Sequence, residues 1–153
     1  MGFITDIIVP CLCIIISSVA FSIEFNIRGK KLIFATLGGT LAWIVYLLST
    51  GIYVNDIPQY FLGAAAVSIY SEILARVNKV PATVYLAISL IPLVPGGEIY
   101  YTMVAFINGN ADLFLQKLMY TFGIAGAIAL GVFAVTSIFR IIAFARANKI
   151  KLF

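Results

Sequence analysis

The sequence predicts an all-α integral membrane protein, a bundle of about five transmembrane helices of which the fourth is interrupted at a Pro/Gly break. Two observations support this fold class. Hydrophobic residues make up 63% of the chain and charged residues only 10%, with a mean hydropathy of +1.11, far from the composition of a soluble domain. Apolar runs long enough to cross a bilayer also occupy nearly all of the 153 residues, which predicts a single transmembrane domain over residues 1–153.

Short polar or basic segments divide the apolar sequence into the predicted spans. The first run ends before Arg28, and the second ends before Asn55 and Pro58, a combination typical of a turn. The third run ends at the basic segment 76–79, and the fifth follows a turn at 108–112 and ends in a basic tail. The predicted spans therefore cover about residues 3–26, 32–54, 57–75, 80–107 and 113–143.

The fourth span contains a stretch in which a continuous helix is disfavoured. Within the segment Ile91-Pro92-Leu93-Val94-Pro95-Gly96-Gly97 there are two prolines and two glycines. Each proline removes a backbone donor and clashes with the preceding turn, and the glycines favour leaving the helix. Unwound backbone in a bilayer is tolerated only where protein or water covers it, so this break is predicted to face a cavity. A proline kink with a packing role only is the alternative interpretation.

Small residues predict which helix faces pack closely. In the fifth span, Gly123, Ala127 and Gly131 recur every four residues, a spacing that lets the backbones of two membrane helices approach each other. The second span has the same spacing in two overlapping pairs, Ala35 with Gly39 and Gly38 with Ala42. These faces predict ordinary helix contacts within a bundle.

The distribution of positive charge predicts an orientation in the membrane. If the chain crosses five times, nine of the ten basic residues fall on one side, and Lys117 is the exception. The nine are Arg28, Lys30, Lys31, Arg76, Lys79, Arg140, Arg146, Lys149 and Lys151. Because cytoplasmic loops carry an excess of Lys and Arg, we expect a multi-pass protein of the cell (plasma) membrane, with its N-terminus outside and its C-terminus cytoplasmic.

The residues in and after the break are candidates for substrate binding. A half-helix that begins near Glu98 would point its first amides into the break, where their positive dipole character suits a substrate carboxylate. The break would permit close approach to the backbone at its glycines, and one of the two tyrosines beyond it would place a hydroxyl in the cavity. The candidate substrate-binding residues are Pro92, Pro95, Gly96, Gly97, Tyr100 and Tyr101.

Two carboxylates are candidates for coupling transport to a proton gradient. Glu98 is the only ionisable group that the predicted spans place near the membrane centre, where charge is costly and usually functional. It would conflict with a bound carboxylate unless it were protonated or turned away. Glu72 is the second candidate, but it precedes Arg76 by four residues, the order that favours an ion pair on a helix. Together with Lys79, these two residues predict a charge pair at the cytoplasmic side.

Other classes of function lack their characteristic residues. The chain contains no His, which removes the commonest metal ligand and the commonest base at neutral pH. No nucleophile–base arrangement, phosphate loop or nucleic-acid motif occurs, and the basic residues flank the spans, which indicates topology. The sequence therefore predicts no enzyme activity, no metal, no cofactor and no nucleic-acid partner.

The quoted break segment also carries a resemblance to a known family. Together with Ser71-Glu72-Ile73-Leu74-Ala75-Arg76, Lys79-Val80-Pro81-Ala82-Thr83 and Tyr100, it resembles the threonine/serine exporter family, and most closely the short, five-span subunit of its split form. The resemblance implies export of small hydroxy amino acids driven by the proton gradient, with a larger membrane partner subunit. In some two-component relatives it implies export of a dicarboxylate such as succinate. The family usually has a small residue at the position of Glu98, which leaves a role in specificity open for this residue.

The leading hypothesis is therefore a subunit of a proton-coupled secondary exporter of small amino acids such as threonine and serine. An odd number of spans cannot form two equal halves, whereas many transporters are built from paired repeats, so a partner subunit or a second copy of this chain would supply the missing half. The alternatives are a dicarboxylate exporter, an assembly subunit that transports nothing itself, and a small homo-oligomeric channel.

Overall fold

The computed structural model describes residues 8–50 and 55–150, with side chains described to residue 145. All regular structure in these residues is helical. The helices are α1 (Val9–Glu24), α2 (Lys30–Thr50), α3 (Ile57–Asn78), α4 (Thr83–Leu90), α5 (Gly96–Ile107) and α6 (Ala111–Ile150), and a 3₁₀ turn at Ile91–Leu93 joins α4 to the break before α5. The all-α fold class and the interruption of the predicted fourth span are confirmed.

Local sequence explains where several helices begin and end. Pro58 stands in the first turn of α3, where its missing N–H removes no helical hydrogen bond, and α3 ends at Lys79 in the left-handed conformation, with a φ of 52°. The side chain of Asn110 accepts a hydrogen bond from the Leu113 amide at 3.1 Å, which caps the start of α6. No Gly or Pro follows Gly131 in the sequence, so no helix-breaking residue ends α6 at the boundary of the predicted fifth span.

Helix α2 lies at the centre of the bundle, packed against α1, α3 and α4. The predicted small-residue face of α2 is buried, and a Cβ atom at Gly39 would stand 2.6 Å from the Ser18 hydroxyl oxygen on α1. On the other side, Ala42 packs with Leu93 of the 3₁₀ turn and with Val67 of α3. The close helix contacts predicted for this face are confirmed.

Helices α3 and α6 pack together through the small residues of α6. A Cβ atom at Gly131 would stand 2.8 Å from the carbonyl oxygen of Phe61 and 3.1 Å from the Cβ of Ala64. Gly123 lies over Ile57 near the start of α3. The spacing of small residues in α6 therefore predicted its contact face correctly.

The two ends of this contact show that α3 and α6 run in the same direction. Near the start of both helices, the Tyr120 hydroxyl donates a hydrogen bond to Asp56 Oδ2 at 2.8 Å. Toward their other ends, the Arg76 guanidinium lies 4.5 Å from the centre of the Phe139 ring. The broken helix between α3 and α6 must therefore return the chain to the end of the bundle at which Asp56 lies.

The break joins two helices whose axes differ by 54°. Helix α4 and the 3₁₀ turn contain 8 and 3 residues, and α5 contains 12. At about 1.5 Å per α-helical residue and about 2.0 Å per 3₁₀ residue, the break divides the path into two halves of about 18 Å each. Helix α4 packs against α2 and α3, whereas α5 packs against α6. The break thus redirects the chain from the centre of the bundle to its edge.

The lengths and apolar composition of the helices are those of a multi-pass membrane protein. Helices α2, α3 and α6 are each long and apolar enough to cross a bilayer, the bent pair of α4 and α5 adds a fourth crossing if it is one span, and α1 is a shorter apolar helix. Residues 1–7 and 51–54, on which parts of the first two predicted spans fall, lie outside the described residues. Five crossings therefore stay a prediction. Helix α6 alone contains 40 residues, about 60 Å at 1.5 Å per residue.

Candidate substrate site at the helix break

The backbone at the start of α5 has free hydrogen-bond donors. The Gly96 amide donates to the Val94 carbonyl at 2.7 Å, and the Ile99 amide donates to the Pro95 carbonyl at 3.0 Å. In the part of the chain that the structure describes, no oxygen accepts a hydrogen bond from the amides of Gly97 or Glu98. These amides stand at the positive end of the α5 dipole, as the sequence predicted for a half-helix in the break.

The prolines and the glycines of the break face in different directions. Pro95 is buried and Pro92 is half-buried, and Pro92 Cγ lies 3.3 Å from where a Cβ atom at Gly39 would stand. Gly96 and Gly97 are exposed, and a Cβ atom at either position would meet nothing within 4 Å. The prolines therefore pack into the bundle, while the glycines leave the backbone open on the outside of this chain.

Glu98 forms an ion pair with Lys117 across the α5–α6 contact. The Lys117 Nζ donates a hydrogen bond to Glu98 Oε2 at 3.0 Å, and the two side chains are 34% and 26% exposed, respectively. The lysine offsets the charge of the carboxylate, so Glu98 need not repel an anion at the start of α5. From the sequence, Lys117 was identified only as an exception to the orientation rule. Its pairing with a residue 19 positions away has no signal in local spacing.

A second carboxylate lies at the same end of the bundle. Asp56, just before α3, accepts the hydrogen bond from Tyr120 described above, and Tyr120 follows Lys117 by three residues on α6, so the two side chains share a face of that helix. One turn after Lys117 on α6, the Thr121 hydroxyl oxygen lies 3.3 Å from the Thr102 hydroxyl oxygen of α5. Sequence reasoning assigned Asp56 to a loop and missed Tyr120, because their contact joins separate helices.

These charged residues border an open groove of about 820 Å³. Its lining residues are Glu98, Leu113, Gln116, Lys117, Met119 and Tyr120. The volume is within the range of small-molecule sites, about 300–1,000 Å³. Other depressions on the surface have volumes of about 200 to 240 Å³ and mainly apolar linings. The groove next to the break therefore combines space for a small polar ligand with charges of both signs.

Tyr100 and Tyr101, the two predicted tyrosines, lie on the outer surface of α5. They are 64% and 57% exposed, and their rings contact each other edge to face with centroids 5.5 Å apart. Lys117 Nζ lies 5.8 Å from the centre of the Tyr101 ring, so Tyr101 is close to the ion pair. Tyr100 makes its ring contact with Tyr101 alone among the described aromatic residues.

The predicted charge pair lies at the opposite end of α3. Arg76 and Glu72, four positions apart on α3, form an ion pair at 3.5 Å, and Arg76 also contacts Phe139 through its guanidinium. Lys79 ends α3 and is exposed. The structure thus separates Glu72, Arg76 and Lys79 from the break, and Glu72 does not share a site with Glu98.

Comparisons with known proteins agree with the resemblance noted in the sequence. Residues 10–138 match the family model described as "Threonine/Serine exporter, ThrE", which includes the whole of the break, the Glu98–Lys117 pair and most of α6. Searches of curated proteins and of solved structures found no match.

Proposed function

Because this chain belongs to the threonine/serine exporter family, a family of transporters and not of enzymes, we propose that it is a subunit of a secondary exporter of small amino acids such as threonine and serine. The coarse function, amino acid export by a multi-pass membrane protein, follows from that membership. Proton coupling, the partner subunit and the substrate-binding residues are part of the proposal.

The observation that carries the proposal is the uncovered backbone at the start of α5. Free amides cost several kcal/mol each when they face hydrocarbon, yet Gly96 and Gly97 are exposed on this chain and Val94 is 56% exposed. A partner subunit or a second copy of this chain, with a water-filled cavity between the two, would resolve this conflict. Discontinuous helices in transporters place their free amides at the substrate carboxylate in the same way.

In this proposal, Gly96 and Gly97 admit the carboxylate of the substrate to the amides of α5, and the buried prolines hold the break in shape. Glu98 and, at the cytoplasmic side, Glu72 are the candidates for proton coupling. Each has a basic neighbour, Lys117 and Arg76, respectively. A proton can replace such a neighbour as the partner of the carboxylate, so uptake of a proton would be linked to release of the ion pair.

The orientation of the chain is also proposed. If the side with most of the basic residues is cytoplasmic, the C-terminal end of α6 lies in the cytoplasm and the end with Asp56, Glu98 and Lys117 lies outside. The groove would then open toward the external side, where an exported substrate leaves the protein.

Efflux from cells tests the function. Labelled threonine, serine and succinate would be followed in cells that express this chain alone, a larger subunit of the same family alone, and both. We expect export of threonine and serine from the pair. Export of succinate instead would favour the dicarboxylate alternative, and export from this chain alone would favour a homo-oligomer. A current that is not coupled to the proton gradient would favour a channel. Absence of export in every case would refute the proposed function.

Glycine substitutions test the site. Gly96→Leu should lower export at least about tenfold with unchanged insertion in the membrane, because its side chain meets no atom of this chain but would fill the space of the substrate or the partner. Gly126→Leu is the matched control, since Gly126 on α6 also has nothing within 4 Å of a Cβ position. Normal export by Gly96→Leu would refute the site, and a fall in the level of the partner alone would favour an assembly role.

A further inference from the structure

The groove beside the break contains an arrangement of charges to which the proposed function assigns no contact with the substrate. It pairs one ammonium group, that of Lys117, with the carboxylate of Glu98 at 3.0 Å, and Tyr120 in its wall holds the carboxylate of Asp56 at 2.8 Å. Both members of the ion pair keep contact with solvent, with 34% and 26% of their side chains exposed. A solute in the groove can therefore reach either charge.

We infer that Lys117 is a specificity-determining residue, which binds the carboxylate of the transported amino acid in the groove while Glu98 binds its ammonium group. This inference rests on the proposed function. It adds a pair of side chains from two helices to the backbone amides of the break, and it assigns a role to Lys117, which lies outside the break.

The charge balance of the groove favours a zwitterion as the ligand. Within this chain, the charges of Lys117 and Glu98 offset each other. An amino acid can exchange with this contact and leave no charge without a partner, because its carboxylate replaces Glu98 at the lysine while its ammonium group takes the place of the lysine at Glu98. A dicarboxylate would release Glu98 without offering it a cation, and Asp56 would add a further negative charge.

The positions of the neighbours fit this exchange. Lys117 and Tyr120 lie three residues apart on α6 and share a face that borders the groove. The Lys117 Nζ is also held near the Tyr101 ring, at 5.8 Å from its centre, so the ammonium group retains a favourable contact when Glu98 turns to the substrate. Helix α5, whose packing is with α6, presents Glu98 from the opposite wall.

The competing explanation is that the ion pair has only a structural role and holds α5 against α6. A ligand that lacks one of the two charges of an amino acid distinguishes this explanation from substrate recognition. Exchange of labelled threonine would be measured in membrane vesicles that contain the transporter assembly. Unlabelled threonine or threonine amide, which has no carboxylate, would be added as the competitor on either side of the vesicle membrane. Removing one partner of a charge-assisted hydrogen bond weakens binding by about ten- to a hundredfold. The wild type should prefer threonine to its amide by that factor.

The variants are chosen so that folding and recognition give different results. Lys117→Gln should lose the preference for threonine over its amide, and Lys117→Arg should keep it. Glu98→Gln combined with Lys117→Gln leaves no unpaired charge at the α5–α6 contact and should also lose the preference. Lys79→Gln, the same change at the far end of the bundle, is the control and should keep it.

A retained preference in Lys117→Gln would overturn the inference, as would a wild type that exchanges threonine and does not distinguish it from the amide. A Lys117→Gln variant that reaches the membrane at normal levels but exchanges neither compound also counts against it, because loss of the carboxylate contact should leave the ammonium contact at Glu98 in place. Wild-type vesicles that exchange no threonine would refute the proposed function as well.

Discussion

The contact between α3 and α6 allows the effect of one added methyl group on the free energy of unfolding to be estimated. A methyl group at Gly131 would stand 2.8 Å from the Phe61 carbonyl oxygen, 3.1 Å from the Ala64 Cβ and 3.2 Å from the Ala65 nitrogen. Two of these neighbours are backbone atoms, which cannot rotate away, so α6 must move. Overpacking of this kind costs about 1–3 kcal/mol.

Gly126 provides the reference for this calculation. It lies five residues earlier on α6, and its Cβ position is open. Replacing either glycine by alanine gains about 1 kcal/mol in helix propensity, so this contribution cancels when the two variants are compared. We therefore expect Gly131→Ala to be less stable than Gly126→Ala by about 1–3 kcal/mol, which is the cost of overpacking alone.

The two variants would be compared by unfolding the purified chain from detergent micelles and following helix content by circular dichroism. The free energy of unfolding should be lower for Gly131→Ala than for Gly126→Ala. Equal stability of the two would refute the reasoning, because it would mean that α3 and α6 do not meet at Gly131 in the folded protein. A Gly131→Ser variant should behave like Gly131→Ala, since its Cβ occupies the same place.

Two further predictions concern hydrogen-bonding groups within the spans. Glu98→Gln cannot take up a proton, so export by this variant should depend less on the pH gradient than export by the wild type, measured as efflux at several external pH values; an unchanged profile would remove Glu98 from coupling. The Tyr70 hydroxyl donates a hydrogen bond to the Phe34 carbonyl at 2.8 Å and so joins α3 to α2. Tyr70→Phe should therefore lower the free energy of unfolding by about 0.5–1.5 kcal/mol. Tyr100→Phe, on the exposed face of α5, is the control.

The sequence was sufficient to predict those features that depend on a local pattern. The break follows from proline and glycine chemistry within seven residues, because these residue types disfavour a helix whatever surrounds them. The small-residue faces of α2 and α6 follow from a spacing of four on a helix. In both cases the physical cause is contained in neighbouring positions of the chain.

The groove could not be predicted in the same way. Glu98 and Lys117 are 19 residues apart, and Asp56 and Tyr120 are 64 apart, so their contacts depend on the 54° bend and on the packing of α6. The sequence gives no measure of that angle, because a Pro/Gly break permits many directions for the next helix. Helix α6 continues to Ile150, beyond the predicted span of 113–143, because the basic tail that ends this span indicates a membrane boundary and not the end of a helix.

The long sixth helix also determines how the protein sits in the bilayer. Between Lys117 and Arg140, residues 118–139 contain no charged side chain, and these 22 residues rise about 33 Å, close to the hydrocarbon thickness of about 30 Å. Because α6 as a whole rises about 60 Å, about twice that thickness, several of its turns extend beyond the hydrocarbon.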